Sequence, residues 1–158
     1  MEGMEAVMTK YEKIIFVCTG NTCRSPMAEA IYKGLVSDNE IPVISRGLVV
    51  LFPEPANPKA SVVLENHNLS LDSHMAAGLT VEDIDENTLI LAMTGSQKLK
   101  IVQDYGIMEN VYTVKEFVGE EGDVVDPYGG SVLEYEDCFV ELSRLMKKTV
   151  VKLHGEEP

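Results

Sequence analysis

Lys13-Ile14-Ile15-Phe16-Val17-Cys18-Thr19-Gly20-Asn21-Thr22-Cys23-Arg24-Ser25-Pro26 is the stretch on which the fold turns. Lys13 to Val17 is a short apolar run rich in β-branched residues, and it stops at Thr19-Gly20-Asn21. That pattern predicts a buried parallel strand ending in a loop. A helix is expected next, with Ser25 as its cap and Pro26 in its first turn. Glu29 falls near the positive end, and Ala30, Ile31, Leu35 and Val36 continue an apolar face. Cys18 to Ser25 therefore joins a strand to the amino end of a helix, where backbone N–H groups can converge on an anion.

Further along, Ile41 to Ser45 predicts a second strand, and the proline-rich residues 52–58 a loop feeding a helix over Lys59 to Asn66. Thr80 to Asp83 resembles a short capped helix, Leu89 to Met93 a third strand, Ser96 to Tyr105 a helix ended by Gly106, and Val111 to Val114 a fourth strand. Lys115 to Gly130 has no periodic pattern and reads as a loop of functional length. Ser131 is the expected cap of a last helix running nearly to His154. Strands alternating with helices predict one α/β domain over residues 1–158, a four-stranded parallel sheet flanked by helices on both faces, with residues 1–10 disordered. Such folds bind ligands beyond the carboxyl ends of their strands, which directs attention to the loop after the first strand.

Composition bounds the partners. The chain has 158 residues, 45% of them hydrophobic, enough for one substantial core. A formal charge of −13 opposes nucleic-acid binding, which gains affinity by neutralising phosphates with Lys and Arg. No run approaches the roughly 18 apolar residues of a membrane span, and Met1 to Lys13 lacks a basic stretch followed by an apolar one, so neither membrane insertion nor export is expected. Cys18, Cys23 and Cys138 form an odd set unlike a disulfide framework, which points to a reduced cytoplasm. A monomer is expected.

A cysteine at the floor of an anion-binding loop sits where the helix dipole, the N–H groups and a guanidinium all favour thiolate, the nucleophilic form. Arg24 offers a planar fork that matches two phosphate oxygens. Gly20 permits tight curvature, and Asn21 tolerates left-handed angles while bracing the loop through its side chain. Displacement at phosphorus also needs an acid opposite the nucleophile. Asp126 is the candidate, because Pro127 stiffens its backbone and Gly129-Gly130 lets the loop approach the site. Cys138 reads as a small core residue. Cys23 either packs quietly or traps an oxidised Cys18 as a reversible disulfide.

Val17-Cys18-Thr19-Gly20-Asn21-Thr22-Cys23-Arg24-Ser25-Pro26-Met27-Ala28-Glu29 closely resembles the signature of the low-molecular-weight protein-tyrosine phosphatase family. The likeness extends to Ser45-Arg46-Gly47, His74, Leu91-Ala92-Met93-Thr94 and Asp126-Pro127-Tyr128-Gly129-Gly130, and so covers nearly the whole chain. It implies that Cys18 attacks phosphorus and that Arg24 and the loop Thr19, Gly20, Asn21, Thr22, Cys23 and Ser25 hold the phosphoryl oxygens. Asp126 would protonate the leaving group and then activate water. By the same resemblance Asn21, Ser25, Ser45 and His74 form the network that holds the loop, with Ser25 also supporting the thiolate. Phosphorylated protein side chains are the implied partners, with no metal or other cofactor.

Thr22 stands where tyrosine phosphatases of the family commonly carry Ile, and Asp126-Pro127-Tyr128-Gly129-Gly130-Ser131 is similar to the bacterial protein-arginine phosphatase branch. Thr22 and Tyr128 are thus the expected selectivity residues. The acidic loop of Glu116, Glu120, Glu121, Asp123 and Asp126 is a second reason to expect a cationic guanidinium. Phosphoarginine is the first expected substrate and phosphotyrosine the second. An arsenate reductase would need relay cysteines, and only Cys138 lies beyond the loop. A non-catalytic phosphate-binding module would need neither Cys18 nor Asp126. The Gly-Lys-Ser/Thr end of a nucleotide P-loop is absent.

Overall fold

Unbroken burial over Ile14–Cys18 and Thr88–Ala92 puts these two strands at the centre of the sheet. The computed structural model describes residues 11–36, 41–71 and 73–154, and the expectation for residues 1–10 lies outside them. Strands β1 (Lys13–Cys18), β2 (Val43–Gly47), β3 (Thr88–Ala92) and β4 (Val111–Thr113) form one parallel sheet in the order β2-β1-β3-β4. The edge strands β2 and β4 alternate buried and half-buried positions, whereas the central pair is apolar on both faces.

Because successive side chains point to opposite faces, each central strand feeds two cores. Ile14, Phe16, Leu89 and Leu91 pack with Met27 and Tyr32 of helix α1 (Arg24–Leu35), Val63 and Leu64 of α2 (Pro58–Asn66), and Leu142 and Leu145 of the long last helix. Ile15, Val17, Ile90 and Ala92 meet Ile101 of α3 (Gly95–Tyr105) on the other face. Full burial of such side chains stabilises the fold by roughly 1.5–3 kcal/mol each. Gly106 ends α3 at φ 67, a left-handed angle that glycine adopts without a Cβ penalty. Helices cover both faces, as the alternation predicts. The chain leaves β1 toward β2 on one side and returns to β3 on the other, so the carboxyl ends of β1 and β3 flank the crevice of the fold.

Two local expectations are corrected. Ser25 is not a helix cap: α1 begins at Arg24, its cap position is Cys23, and no side-chain capping bond is made there. The Ser25 hydroxyl is engaged with the loop instead. Lys115–Gly130 is not loop throughout, because Val114–Phe117 forms a single helical turn, α4. Thr113 accepts from Glu116 N, and Glu116 reaches back to Thr113 N. The last helix, α5, spans Val132–His154, and a Ser131–Glu134 pair of reciprocal bonds closes its start.

Candidate active site

Asn21 organises the loop after β1. It has φ 59, and its Oδ1 accepts from Ala77 N at 3.0 Å. Its Nδ2 then donates to Ser25 Oγ at 2.9 Å and to Ser45 Oγ at 3.0 Å. His74 Nε2 donates to the Asn21 carbonyl at 2.8 Å, which fixes the ring tautomer. With its oxygen accepting from Asn21, the Ser25 hydroxyl has two acceptors for its hydrogen, Cys18 Sγ at 2.9 Å and the Arg46 carbonyl at 3.5 Å, and the shorter contact favours the sulfur. The structure thus brings Asn21, Ser25, Ser45 and His74 together behind Cys18.

The expected role of Gly20 in the loop's curvature does not hold. The left-handed residue is Asn21, and a Cβ at Gly20 would meet only Thr22 Oγ1, at 3.8 Å. The glycine that the loop needs is Gly47 at the end of β2. A Cβ there would lie 2.8 Å from the Thr19 carbonyl, 3.0 Å from Asn21 Cβ and 2.6 Å from Val50 Cγ2. Gly47→Ala is expected to lower stability by about 1–3 kcal/mol through overpacking, read as a lower denaturant midpoint. Because the clash falls on Thr19 and Asn21, phosphate affinity should fall with it.

Arg24 is 4% exposed, so its charge is held under the cleft and not in bulk solvent. It donates to the Val124 carbonyl at 2.9 Å, and its Nη2 lies 3.4 Å from Asp126 Oδ2. The second Asp126 oxygen accepts from Tyr128 N at 3.0 Å, a turn that aims the carboxylate back at the loop. Three further bonds fasten this segment: Val124 N to the Met93 carbonyl at 2.9 Å, Gly95 N to Asp123 Oδ1 at 2.9 Å, and Lys59 Nζ to the Gly130 carbonyl at 2.5 Å.

Cys18, Arg24, Thr19, Gly20, Thr22 and Cys23 line a cleft of about 330 Å³, closed by Leu51, Phe52, Glu54, Asp126 and Tyr128. A larger groove of about 890 Å³ runs along residues 84–88 and 107–112 and contains none of these side chains. Of the five acids expected to attract a guanidinium, Asp126 alone reaches the cleft. Glu116 caps α4 and pairs with Lys98, Glu120 pairs with Arg144 and Lys148, and Asp123 accepts from Gly95. Hydrogen bonds from Arg144 and Lys148 hold the Glu120 carboxyl down at about 2. The cleft's second carboxylate is Glu54, on the proline-rich loop.

The three cysteines are free thiols. Burial raises the Cys23 thiol above its ordinary value, although bonds to Tyr135 and Thr22 pull the other way. Burial pushes Cys138 up to about 12. Cys138, so far raised, is not a ready nucleophile. Tyr135 of α5, its hydroxyl raised by burial, lies 3.3 Å from Cys23 Sγ and anchors the loop to the helix layer.

A buried cysteine beneath a strand-to-helix loop, with an arginine and an aspartate over the same cleft, is the arrangement of a phosphoryl-transfer site. Residues 13–157 match the family model for low molecular weight phosphotyrosine protein phosphatases. The chain belongs to this family. It is a cysteine-dependent phosphoprotein phosphatase, 41% identical over 136 residues to the low molecular weight protein-tyrosine-phosphatase PtpB of Staphylococcus haemolyticus, covering 86% of this chain and 96% of that protein. The phosphatase is also 41% identical over 145 residues to the protein-arginine-phosphatase of Bacillus subtilis, covering 89% and 95%. The structure of the YwlE arginine phosphatase from Geobacillus stearothermophilus matches it with a TM-score of 0.85 at 36% identity, over 91% of this chain and 94% of that one. No helix among the described residues is long and apolar enough to cross a membrane.

Three residues of the phosphatase's site escape a reading of its sequence: Glu54, Lys59 and Gln97. Each is a polar residue with no motif around it, and Lys59 and Gln97 act on residues 71 and 78 positions away.

Proposed function

We propose that this phosphatase removes phosphate from protein side chains with Cys18 as nucleophile, Arg24 as phosphate clamp and Asp126 as general acid, and that phosphoarginine is its preferred substrate. In the first step the Cys18 sulfur bonds to phosphorus as the bond from phosphorus to the substrate nitrogen breaks, and Asp126 supplies a proton to that nitrogen. The loop amides of Thr19 to Ser25 and the Arg24 fork hold the phosphoryl oxygens throughout. In the second step Asp126 takes a proton from water as the water oxygen attacks phosphorus, and the thiolate is released toward the Ser25 hydroxyl. The Asn21, Ser45 and His74 bonds keep the loop in one shape across both steps.

One observation carries the substrate reading: in a cleft whose lining is otherwise largely apolar, Leu51, Phe52 and Tyr128 included, stand Thr22 and two carboxylates, Glu54 and Asp126. Two carboxylates suit a cationic guanidinium, and a threonine gives its nitrogens an oxygen to meet. Phosphotyrosine is the second reading, favoured by the apolar walls. The deciding measurement is kcat/KM on a phosphoarginine and a phosphotyrosine peptide for wild type and Thr22→Ile. Wild type is expected to favour phosphoarginine, and Thr22→Ile to move the ratio toward phosphotyrosine by at least about tenfold. A wild type that strongly prefers phosphotyrosine, with a ratio unmoved by Thr22→Ile, sinks the assignment.

The cleft thiols also form a redox pair in this proposal. A peroxide oxidises the Cys18 thiolate to a sulfenic acid, and the Cys23 thiol displaces water from it to close a disulfide. Both cysteines line the same cleft, which supports the pairing.

A further inference from the structure

Gln97 stands in the first turn of α3 at 6% exposure, with both ends of its side-chain amide engaged. Its Oε1 accepts from Met93 N and Thr94 N, each at 3.0 Å. Two backbone donors on one end of an amide identify that end as the oxygen. The other end is the nitrogen, and it donates to Thr19 Oγ1 at 3.0 Å.

A hydroxyl that accepts from an amide has its own hydrogen left for a different acceptor. Thr19 lies next to Cys18 in sequence and lines the cleft with Arg24. Its own carbonyl is already occupied by Leu48 N and Val49 N, each at 2.9 Å. Thr19 is exposed where it lines the cleft, so an oxygen bound there can take that hydrogen in place of water. We propose that Gln97 is a positioning residue that turns the Thr19 hydroxyl hydrogen into the cleft, where it donates to an oxygen of the bound phosphoryl group. This rests on the function proposed above and adds a specific donor to it. The loop amides and Arg24 supply donors fixed by backbone and charge, whereas Thr19 supplies one whose direction is set by a side chain 78 positions away.

The geometry offers a reversal of polarity as a test. Gln97→Glu preserves side-chain size and the bonds from Met93 N and Thr94 N. Those two donors, with the amino end of α3, favour the ionised carboxylate. A carboxylate only accepts, so the Thr19 hydrogen then turns toward residue 97 and away from the cleft. Inorganic phosphate is the probe, its Ki taken as a competitive inhibitor of p-nitrophenyl phosphate hydrolysis. Thr19→Val and Gln97→Glu are each expected to raise Ki by about tenfold, the worth of a hydrogen bond to a charged group. Thr19→Ser should stay close to wild type, and the double variant Thr19→Val/Gln97→Glu should be no weaker than Thr19→Val alone.

A Gln97 that merely caps α3 would leave Ki unmoved in Gln97→Glu. A new charge that merely repels phosphate would raise Ki by the same factor with and without the Thr19 hydroxyl. Either result overturns the proposal, as does a Thr19→Val variant with wild-type Ki. Wild-type enzyme that phosphate does not inhibit, or whose inhibition survives Arg24→Ala, overturns the reading of the site itself, a different failure from the first three.

Discussion

Cys18→Ser is expected to lower kcat on any phosphorylated side chain by at least about 10⁴-fold while leaving the fold and phosphate binding in place. The size of the loss follows from what surrounds the sulfur. Its side-chain partner is the Ser25 hydroxyl at 2.9 Å, a hydrogen donor and not a base. Among the described residues no histidine or carboxylate makes a hydrogen bond to that sulfur and could take a proton from an alcohol there. A serine hydroxyl is intrinsically a far weaker acid than a thiol and stays protonated where no base takes its proton. His74 does not substitute, because its Nε2 is spent on the Asn21 carbonyl. The check is single-turnover kinetics on a phosphopeptide, beside a melting curve and the Ki of inorganic phosphate for both proteins. A serine variant retaining more than about a hundredth of wild-type kcat would remove Cys18 from the chemistry.

Much of this site is legible along the chain because its parts are local. A strand, a loop and a helix start within the 14 residues Lys13 to Pro26 define the anion cradle, and the sheet follows from the apolar runs of β1 and β3 and the spacing of the helices between them. What stays hidden is the use of polar side chains across the fold. Ser25 before Pro26 has every mark of a cap, yet the nearby Asn21 amide and Cys18 sulfur bind its hydroxyl more usefully than a helix amide would. The acids of 116–126 look like one negative patch in sequence, but most of them are consumed by helix starts and ion pairs facing away from the cleft. Glu54 is inconspicuous because prolines on both sides mark its segment as a simple connection. Gln97 is one unremarked position of the helix expected over Ser96 to Tyr105, and only the tertiary contact with Thr19 gives it a purpose. Periodicity reports which face a residue occupies, not which distant backbone it reaches.

Asp126→Asn is expected to lower kcat/KM by about 10²–10⁴-fold on phosphoarginine and phosphotyrosine peptides, and by markedly less on p-nitrophenyl phosphate. The substitution is chosen because it retains the local structure. The asparagine side chain would still present an oxygen to Tyr128 N, the 3.0 Å bond that shapes the turn, and the loop's other fastenings at Val124, Asp123 and Gly130 do not involve the carboxylate. What disappears is the proton. A poor leaving group must be protonated as its bond to phosphorus breaks, whereas p-nitrophenolate leaves as a stable anion. kcat/KM isolates this step, because it covers the path from free enzyme and substrate through phosphoryl transfer and excludes hydrolysis of the intermediate. The ratio of the two losses therefore separates chemistry from architecture. An equal fall on good and poor leaving groups would mean that Asp126 only balances the charge of Arg24, its 3.4 Å neighbour, and that the acid must be sought elsewhere in the cleft, first at Glu54. A steep dependence on leaving group in the variant, flat in wild type, is the signature of a proton delivered by Asp126.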